Sequence, residues 1–188
     1  MQMKQMRLRA MAAVLALAAL STPAAAQQGG QQLSPRDTAR IALEGRRVYV
    51  DYGRPSMRGR RIVGELVPYG RVWRTGANAA TTLVTETDLR IGGALVPRGT
   101  YTLYTLPAAR GWTLIVNRQT GQWGTQYDAS RDLVRIPMRT TRVAAPVEKF
   151  TITFERGARG TGTLAMAWEN TRVSVPVRAQ AAAPRPRR

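Results

Sequence analysis

Apolar residues along this chain recur at every second position rather than every third or fourth. Ile41 and Leu43 alternate with Arg40 and Ala42, a turn follows at Glu44-Gly45, and Val48, Val50 and Tyr52 alternate with Arg47, Tyr49 and Asp51. Two period-two runs joined by a turn predict a β-hairpin. Just before it, Ser34-Pro35-Arg36-Asp37 reads as a turn or a short helical start. From Gly53 to Gly70 the alternation lapses into glycine, proline and arginine. The short apolar pieces Ile62-Val63 and Leu66-Val67 predict an ordered loop packed on the sheet. Alternation then returns. Leu83, Thr85, Thr87, Leu89 and Ile91 share one face, Gly92-Gly93 is a tight hairpin signal, and Pro97-Arg98-Gly99 is placed for a β-turn. Tyr101 to Leu106 and Trp112 to Val116 read as strands joined by Pro107 to Gly111. Asn117 to Asp132 is a second polar loop. Leu133 to Met138, Phe150 to Phe154, Leu164 to Trp168 and Val173 to Val177 complete the series, and Pro176 marks the last as an edge strand. No stretch keeps a 3.6 period over three turns. Nine or ten short strands with frequent turns predict an all-β protein, a single antiparallel β-sandwich or jelly-roll-like domain over residues 34–178.

The two ends of the chain depart from this pattern. Lys4, Arg7 and Arg9 precede an apolar run from Ala10 to Leu20, and Ala24-Ala25-Ala26 is a small-residue cleavage site before Gln27. This is the layout of a signal peptide over residues 1–26, and the run is too short for a permanent transmembrane anchor. The mature protein is expected to be exported, to the periplasm or beyond. Residues 27–33 read as a Gln/Gly linker and 179–188 as a disordered Ala/Pro/Arg tail.

Composition narrows the chemistry. The chain has no histidine and no cysteine. Catalytic arrangements built on those residues, disulfide staples, and metal sites ligated by them are therefore excluded. No phosphate-loop, dinucleotide, nucleophile-elbow or calcium-loop pattern is present, so no cofactor and no metal is expected. The formal charge is +18, and losing Lys4, Arg7 and Arg9 from an acid-free leader brings it to about +15. Such a charge attracts polyanions such as lipopolysaccharide phosphates or acidic glycans. It also has a bland source. Only Lys4 and Lys149 are lysines, and the scattered arginines suit GC-rich coding. Export disfavours nucleic acid as the partner.

Polar chemistry concentrates in three places. Val72 to Thr82 holds Trp73, Arg74, Thr75 and Asn78 within one turn-like stretch. As a binding loop, Arg74 would grip a carboxylate or phosphate, Asn78 would orient a polar group and Trp73 would stack on a ring. As architecture, Trp73 would plug the sandwich end, Arg74 would pair with a scaffold carboxylate, and Gly76 and Asn78 would make a turn. Asp51-Tyr52-Gly53-Arg54 leaves a strand directly. There Asp51 points away from the face that Val50 and Tyr52 bury, either to share a polar site with Arg74 or to form an internal ion pair. Trp123 and Tyr127 put two aromatics in the second polar loop, as sugar-binding surfaces and loop anchors both do. Asp51, Glu65, Glu86 and Asp128 are the acids from which a carboxylate hydrolase would be built.

The string Asp51-Tyr52-x-Arg54-Pro55-Ser56, then Gly59-Arg60, then Leu66-Val67-Pro68-Tyr69-Gly70-x-Val72-Trp73-Arg74-Thr75-Gly76-Ala77-Asn78 resembles the bacterial family called domain of unknown function 2911. Pro97-x-Gly99-Thr100-Tyr101-Thr102-Leu103-Tyr104-Thr105 and the stretch from Asn117 to Trp123-Gly124 are similar to it too. The resemblance runs from about Leu33 to Phe154. It implies an exported β-rich protein and brings no activity with it.

These readings converge on a non-enzymatic exported sandwich that binds an anionic or sugar-like small molecule or envelope polymer, through Asp51, Tyr52, Arg54, Trp73, Arg74, Thr75, Asn78, Trp123 and Tyr127. A structural or interaction protein of the cell envelope is the first alternative, and a carboxylate hydrolase the second.

Overall fold

A computed structural model of the chain describes residues 34–158 and 160–180. The expected signal peptide, the linker up to residue 33 and the tail beyond Gln180 lie outside the described residues. Nine strands follow one another: β1 (Arg36–Leu43), β2 (Arg46–Gly53), β3 (Thr82–Thr85), β4 (Leu89–Ile91), β5 (Ala94–Val96), β6 (Gly99–Ala108), β7 (Gly111–Asn117), β8 (Asp132–Arg156) and β9 (Thr161–Ala179). One short 3-10 turn, Ala129–Arg131, precedes β8. Every strand pairing is antiparallel, in the order β1-β2-β3-β6-β7-β8-β9-β4-β5. The protein is therefore all-β, as the period-two pattern predicts.

The order divides into two packed sheets because β8 serves both. Its first residues pair with β7, Trp112 opposite Met138, and its later ones with β9, Phe154 opposite Leu164. Between them the β8–β9 register slips at Arg142/Val147 and Val147/Thr151, and β9 bends at Glu169, a non-glycine residue with φ of 52°. Register slips and a left-handed residue turn a ribbon sharply. The bend is tight enough that the Ala179 amide reaches the Gly160 carbonyl at 3.2 Å, joining the two ends of β9. Ile41, Val48, Val50, Leu83, Leu103, Leu114 and Val116 fill the interior from one sheet, and Leu89, Ile91, Phe150, Ile152, Leu164 and Met166 from the other. This is the alternating inner face that sheet-on-sheet packing requires.

Three expectations are corrected. Leu83 to Ile91 is two strands, not one. The chain turns at Glu86–Asp88, where the Thr85 hydroxyl bonds both the amide and the carbonyl of Thr87. The alternation continues through the turn because both sheets bury the same parity: Leu83 and Thr85 from one, Leu89 and Ile91 from the other. Pro176 does not mark an edge, since β9 lies between β8 and β4. It sits past Ser174, the last residue paired with β8, and before Val177, the first paired with β4, and its carbonyl accepts from the Gly92 amide. The missing N–H falls at a handover between ladders. Finally, Arg36 and Asp37 begin a strand rather than a helix, and the Arg54 amide bonds the Pro35 carbonyl at 2.8 Å.

Candidate functional site

The segment between β2 and β3 is irregular but closely tied. The Arg54 guanidinium donates to the Phe150 carbonyl at 3.2 Å and the Thr151 hydroxyl at 2.9 Å, and sits 3.4 Å from the Asp37 carboxylate. It thereby clamps the end of β2 to β8. The half-buried Glu169 carboxylate, at the left-handed residue of β9, accepts from the backbone amides of Ile62 at 3.2 Å and Val63 at 3.0 Å. Further on, Trp73 exchanges two backbone hydrogen bonds with Thr105 of β6, at 2.7 and 3.0 Å. This bridge drives the indole inward, where it stacks on Trp168 at 5.7 Å between centroids and meets Phe150 and Trp112 edge-on. Such aromatic contacts add on the order of 0.5–1.5 kcal/mol each beyond area burial.

After Trp73 the backbone does something costly. Thr75 has φ of 53° and Asn78 has φ of 64°. Asparagine tolerates the left-handed region, but a β-branched threonine there is a true outlier, strained by about 1–3 kcal/mol. Thr75 is fully buried, and its hydroxyl donates to the Trp73 carbonyl at 3.2 Å and meets the Thr105 hydroxyl at 3.1 Å. The Thr81 hydroxyl donates to the Thr75 carbonyl at 2.7 Å. Two glycines let the turn seat. A Cβ on Gly53 would lie 2.1 Å from the Ala77 carbonyl oxygen, and one on Gly124 would lie 2.7 Å from the Asn78 carbonyl oxygen and 2.9 Å from the Arg74 side chain.

The outcome is a fixed Arg74. Its Nε donates to the Gly76 carbonyl at 3.1 Å, and neither terminal nitrogen has a carboxylate partner among the described residues. Of the two readings of Asp51, a polar site shared with Arg74 or an internal ion pair, the structure has an ion pair, with Arg36 across the β1–β2 hairpin.

The loop from Arg118 to Arg131 supplies the facing wall. The Gly124 amide donates to the Asn78 carbonyl at 2.9 Å, and Gln122 Nε2 donates to the Thr102 and Tyr104 hydroxyls, each at 3.1 Å. The Tyr127 hydroxyl donates to Asp132 at 2.7 Å and accepts from Arg135 at 2.8 Å, while its ring meets Tyr104 edge-on at 4.8 Å. Burial, then the bond to Asp132, pushes the Tyr127 phenol up to about 12. It stays neutral, a latch rather than an acid.

Between these walls lies a cleft of about 470 Å³. Trp73, Arg74, Asn78 and Tyr127, of the residues expected to bind, line it together with Arg60, Leu66, Tyr104, Thr125 and Trp168. Its lining holds two arginines and no carboxylate. The other expected residues lie elsewhere. Asp51 is half-exposed on β2, Tyr52 is in the core with its hydroxyl 3.0 Å from the Ile152 amide, Arg54 is the clamp, and Thr75 lies buried beneath the turn. Trp123 is on the facing loop, 47% exposed, outside the lining. Sequence reading missed Arg60, Leu66, Tyr104 and Trp168. Tyr104 and Trp168 read only as strand residues, and Arg60 as one of several arginines in a run.

A second, larger concavity of about 1070 Å³ opens at the other end of β2, where Arg46, Arg90, Arg98 and Arg178 mingle with Glu44, Glu86 and Asp88. The four acids considered for hydrolysis are held in four separate ion pairs. Asp51, Glu65, Glu86 and Asp128 are each engaged by a different arginine, at 36, 61, 47 and 131 respectively. Among the described residues, no group of three or more metal-ligating side chains is placed to hold an ion, and no helix is long and apolar enough to cross a membrane.

A family model described as a protein of unknown function (DUF2911) matches residues 34–177. No curated protein and no solved structure matches the chain.

Proposed function

The chain belongs to the DUF2911 family, and because that membership brings no activity with it, we propose from the site itself that the protein is a non-enzymatic binder of an anionic or sugar-like ligand of the cell envelope. The observation that carries this reading is the Arg74 cleft. A guanidinium held by a strained, buried turn, with no carboxylate on its terminal nitrogens and no acid in the lining, is a preformed oxyanion receptor. The cleft's volume falls in the range of small-molecule sites. Export rests on the leader Lys4 to Ala26. Expression with this leader should yield periplasmic protein whose first residue is Gln27; cytoplasmic protein that keeps Met1 would remove the envelope from the proposal.

Binding is tested by following tryptophan fluorescence as glucuronate is added, since Trp73 and Trp168 lie in the cleft wall. Arg74→Gln should weaken the interaction by roughly ten- to a hundredfold, the range for a charge-assisted hydrogen bond. Equal affinity in the two proteins would remove the cleft as the site.

A second reading, an envelope interaction protein, is favoured by the other concavity, where the guanidinium groups of Arg46, Arg98 and Arg178 form no salt bridge among the described residues. Salt separates the two. Binding through exposed charge fades steeply with ionic strength, whereas a cleft contact persists.

A further inference from the structure

We propose that the ligand of the Arg74 cleft is an apolar-bodied carboxylate, with its head on Arg74 and a hydrocarbon or aryl body along Leu66, Val72 and Trp73, rather than a carbohydrate. This rests on the cleft being the binding site and selects among its possible ligands. Three observations support it.

The first is the supply of hydrogen-bonding groups. A sugar offers hydroxyls around its ring, each both donor and acceptor, and needs acceptors as well as donors in return. The cleft has no carboxylate to accept from them. Several of its polar side chains are engaged. Asn78 Nδ2 donates to the Ser34 carbonyl at 3.1 Å, the Tyr104 hydroxyl lies between Gln126 and Gln122, and the Tyr127 hydroxyl lies between Asp132 and Arg135. The Arg60 Nε and one terminal nitrogen are spent on the Met57 and Ser56 carbonyls, at 2.9 and 2.8 Å. The paired terminal nitrogens of Arg74, with no carboxylate partner among the described residues, suit one planar oxyanion.

The second is the aromatic surface. Sugar stacking requires an open ring face. The Trp73 and Trp168 rings stack on each other at an interplanar angle of 20°, and Trp168 is only 5% exposed. Tyr104, edge-on to Tyr127, is only 1% exposed. The one strongly exposed indole among the described residues, Trp123, is outside the lining.

The third is the apolar wall. Leu66 is 45% exposed on the cleft, a large aliphatic side chain left facing solvent beside a cation. Pro55 and Val72 continue that wall, and behind Trp73 and Trp168 lies an apolar gap of about 10 Å³ lined by Ile62, Val63 and Met166. A ligand body laid here removes apolar area from water on both partners, while water leaves it exposed.

The test is a homologous series of acetate, butyrate, hexanoate and octanoate below micellar concentration, with glucuronate as the polar anion and octanol as the neutral body. Each is titrated into the wild-type protein, Arg74→Gln and Leu66→Ser. Affinity should climb by about two- to fourfold per methylene until the cleft is full, the increment for burying a CH₂. Octanoate should lose at least tenfold in Arg74→Gln. Leu66→Ser should flatten the series without moving acetate. A flat series with glucuronate tighter than octanoate, both still dependent on Arg74, overturns this inference and leaves the anion-binding cleft standing. Octanoate and octanol binding alike and indifferent to Arg74 overturns it also. If no probe depends on Arg74, the cleft reading falls with it.

Discussion

The protein has two concavities at the two ends of one strand, and they are built on opposite plans. The groove by Arg46, at the start of β2, is more than twice the volume of the cleft by Pro55, just beyond its end, about 1070 against 470 Å³. At about 3.3 Å per residue, the eight residues of β2 separate them by roughly 25 Å. The groove is made of hairpin turns whose side chains run into solvent, with arginines and acids side by side. The cleft is made of two long loops tied by backbone hydrogen bonds, with cations only. Size follows from how turns splay at a sandwich end. Charge imbalance, a β-branched residue held in the left-handed region and a packed aromatic floor do not arise that way, and they single out the smaller site.

The contrast is sharpest in how the two ends tolerate change. Trp168→Ala should cost about 3–5 kcal/mol, because it removes the stacking partner of Trp73 and opens a cavity under the cleft. Chemical denaturation measures this directly, and a loss below about 1 kcal/mol would mean the aromatic floor is not structural. Gly53→Ala should come next. Its new methyl would meet the Ala77 carbonyl oxygen at 2.1 Å, and overpacking against backbone costs on the order of 1–3 kcal/mol or more. At the groove end, Gly45 has φ of 72°, and a methyl added there would meet nothing within 4 Å. Gly45→Ala should cost only the left-handed penalty, about 1–2 kcal/mol. If Gly45→Ala proves the worse of the two in thermal melts, the cleft end is not the rigid one.

Arg74→Gln and Arg178→Gln form the next pair. Both should change stability by no more than about 0.5 kcal/mol, since neither guanidinium holds a carboxylate among the described residues. Only Arg74→Gln should weaken binding of a small organic anion.

The smallest effects are in pH. The fold favours the neutral Tyr127 phenol, raised above the ordinary value of 10 to about 12 chiefly by burial. Its contribution is present below pH 10 and is lost as pH rises from there through 12. The groove behaves oppositely. The Glu86 carboxylate is held below its ordinary value, first by the Arg47 amide, so its contribution is present at neutral pH and is lost as pH falls through the acid range. Melting curves of wild type, Tyr127→Phe and Glu86→Gln across pH should therefore converge at the alkaline end for the first pair and at the acid end for the second.

The fold was legible because burial in a sandwich writes itself as alternation, and Val48, Val50 and Tyr52 are buried with Asp51 between them. Legibility failed where alternation serves two masters. Leu83 to Ile91 kept its parity through a turn that hands the chain from one sheet to the other. The site was partly legible. Glycine, asparagine and arginine packed between Trp73 and Asn78 signal a turn with a purpose, and four of nine expected residues line the cleft. The others fell short for one physical reason: residue type does not reveal the partner. Asp51 had an arginine across its hairpin, at Arg36, and Arg54 had a backbone carbonyl far along the chain, at Phe150. Trp168, by contrast, reads as an ordinary strand residue, inward on the same parity as Leu164 and Met166, and nothing in its residue type marks it as part of a cleft wall.

The most direct test of an Arg74-centred binding cleft follows the arginine side-chain Nε–H signals by NMR while benzoate is added to the protein. The Arg74 signal, fixed by the Gly76 carbonyl, is expected to shift saturably, while those of Arg46, Arg98 and Arg178 stay in place. Saturable shifts at the groove arginines with Arg74 unmoved would contradict the cleft assignment, and would place the binding function at the other end of β2.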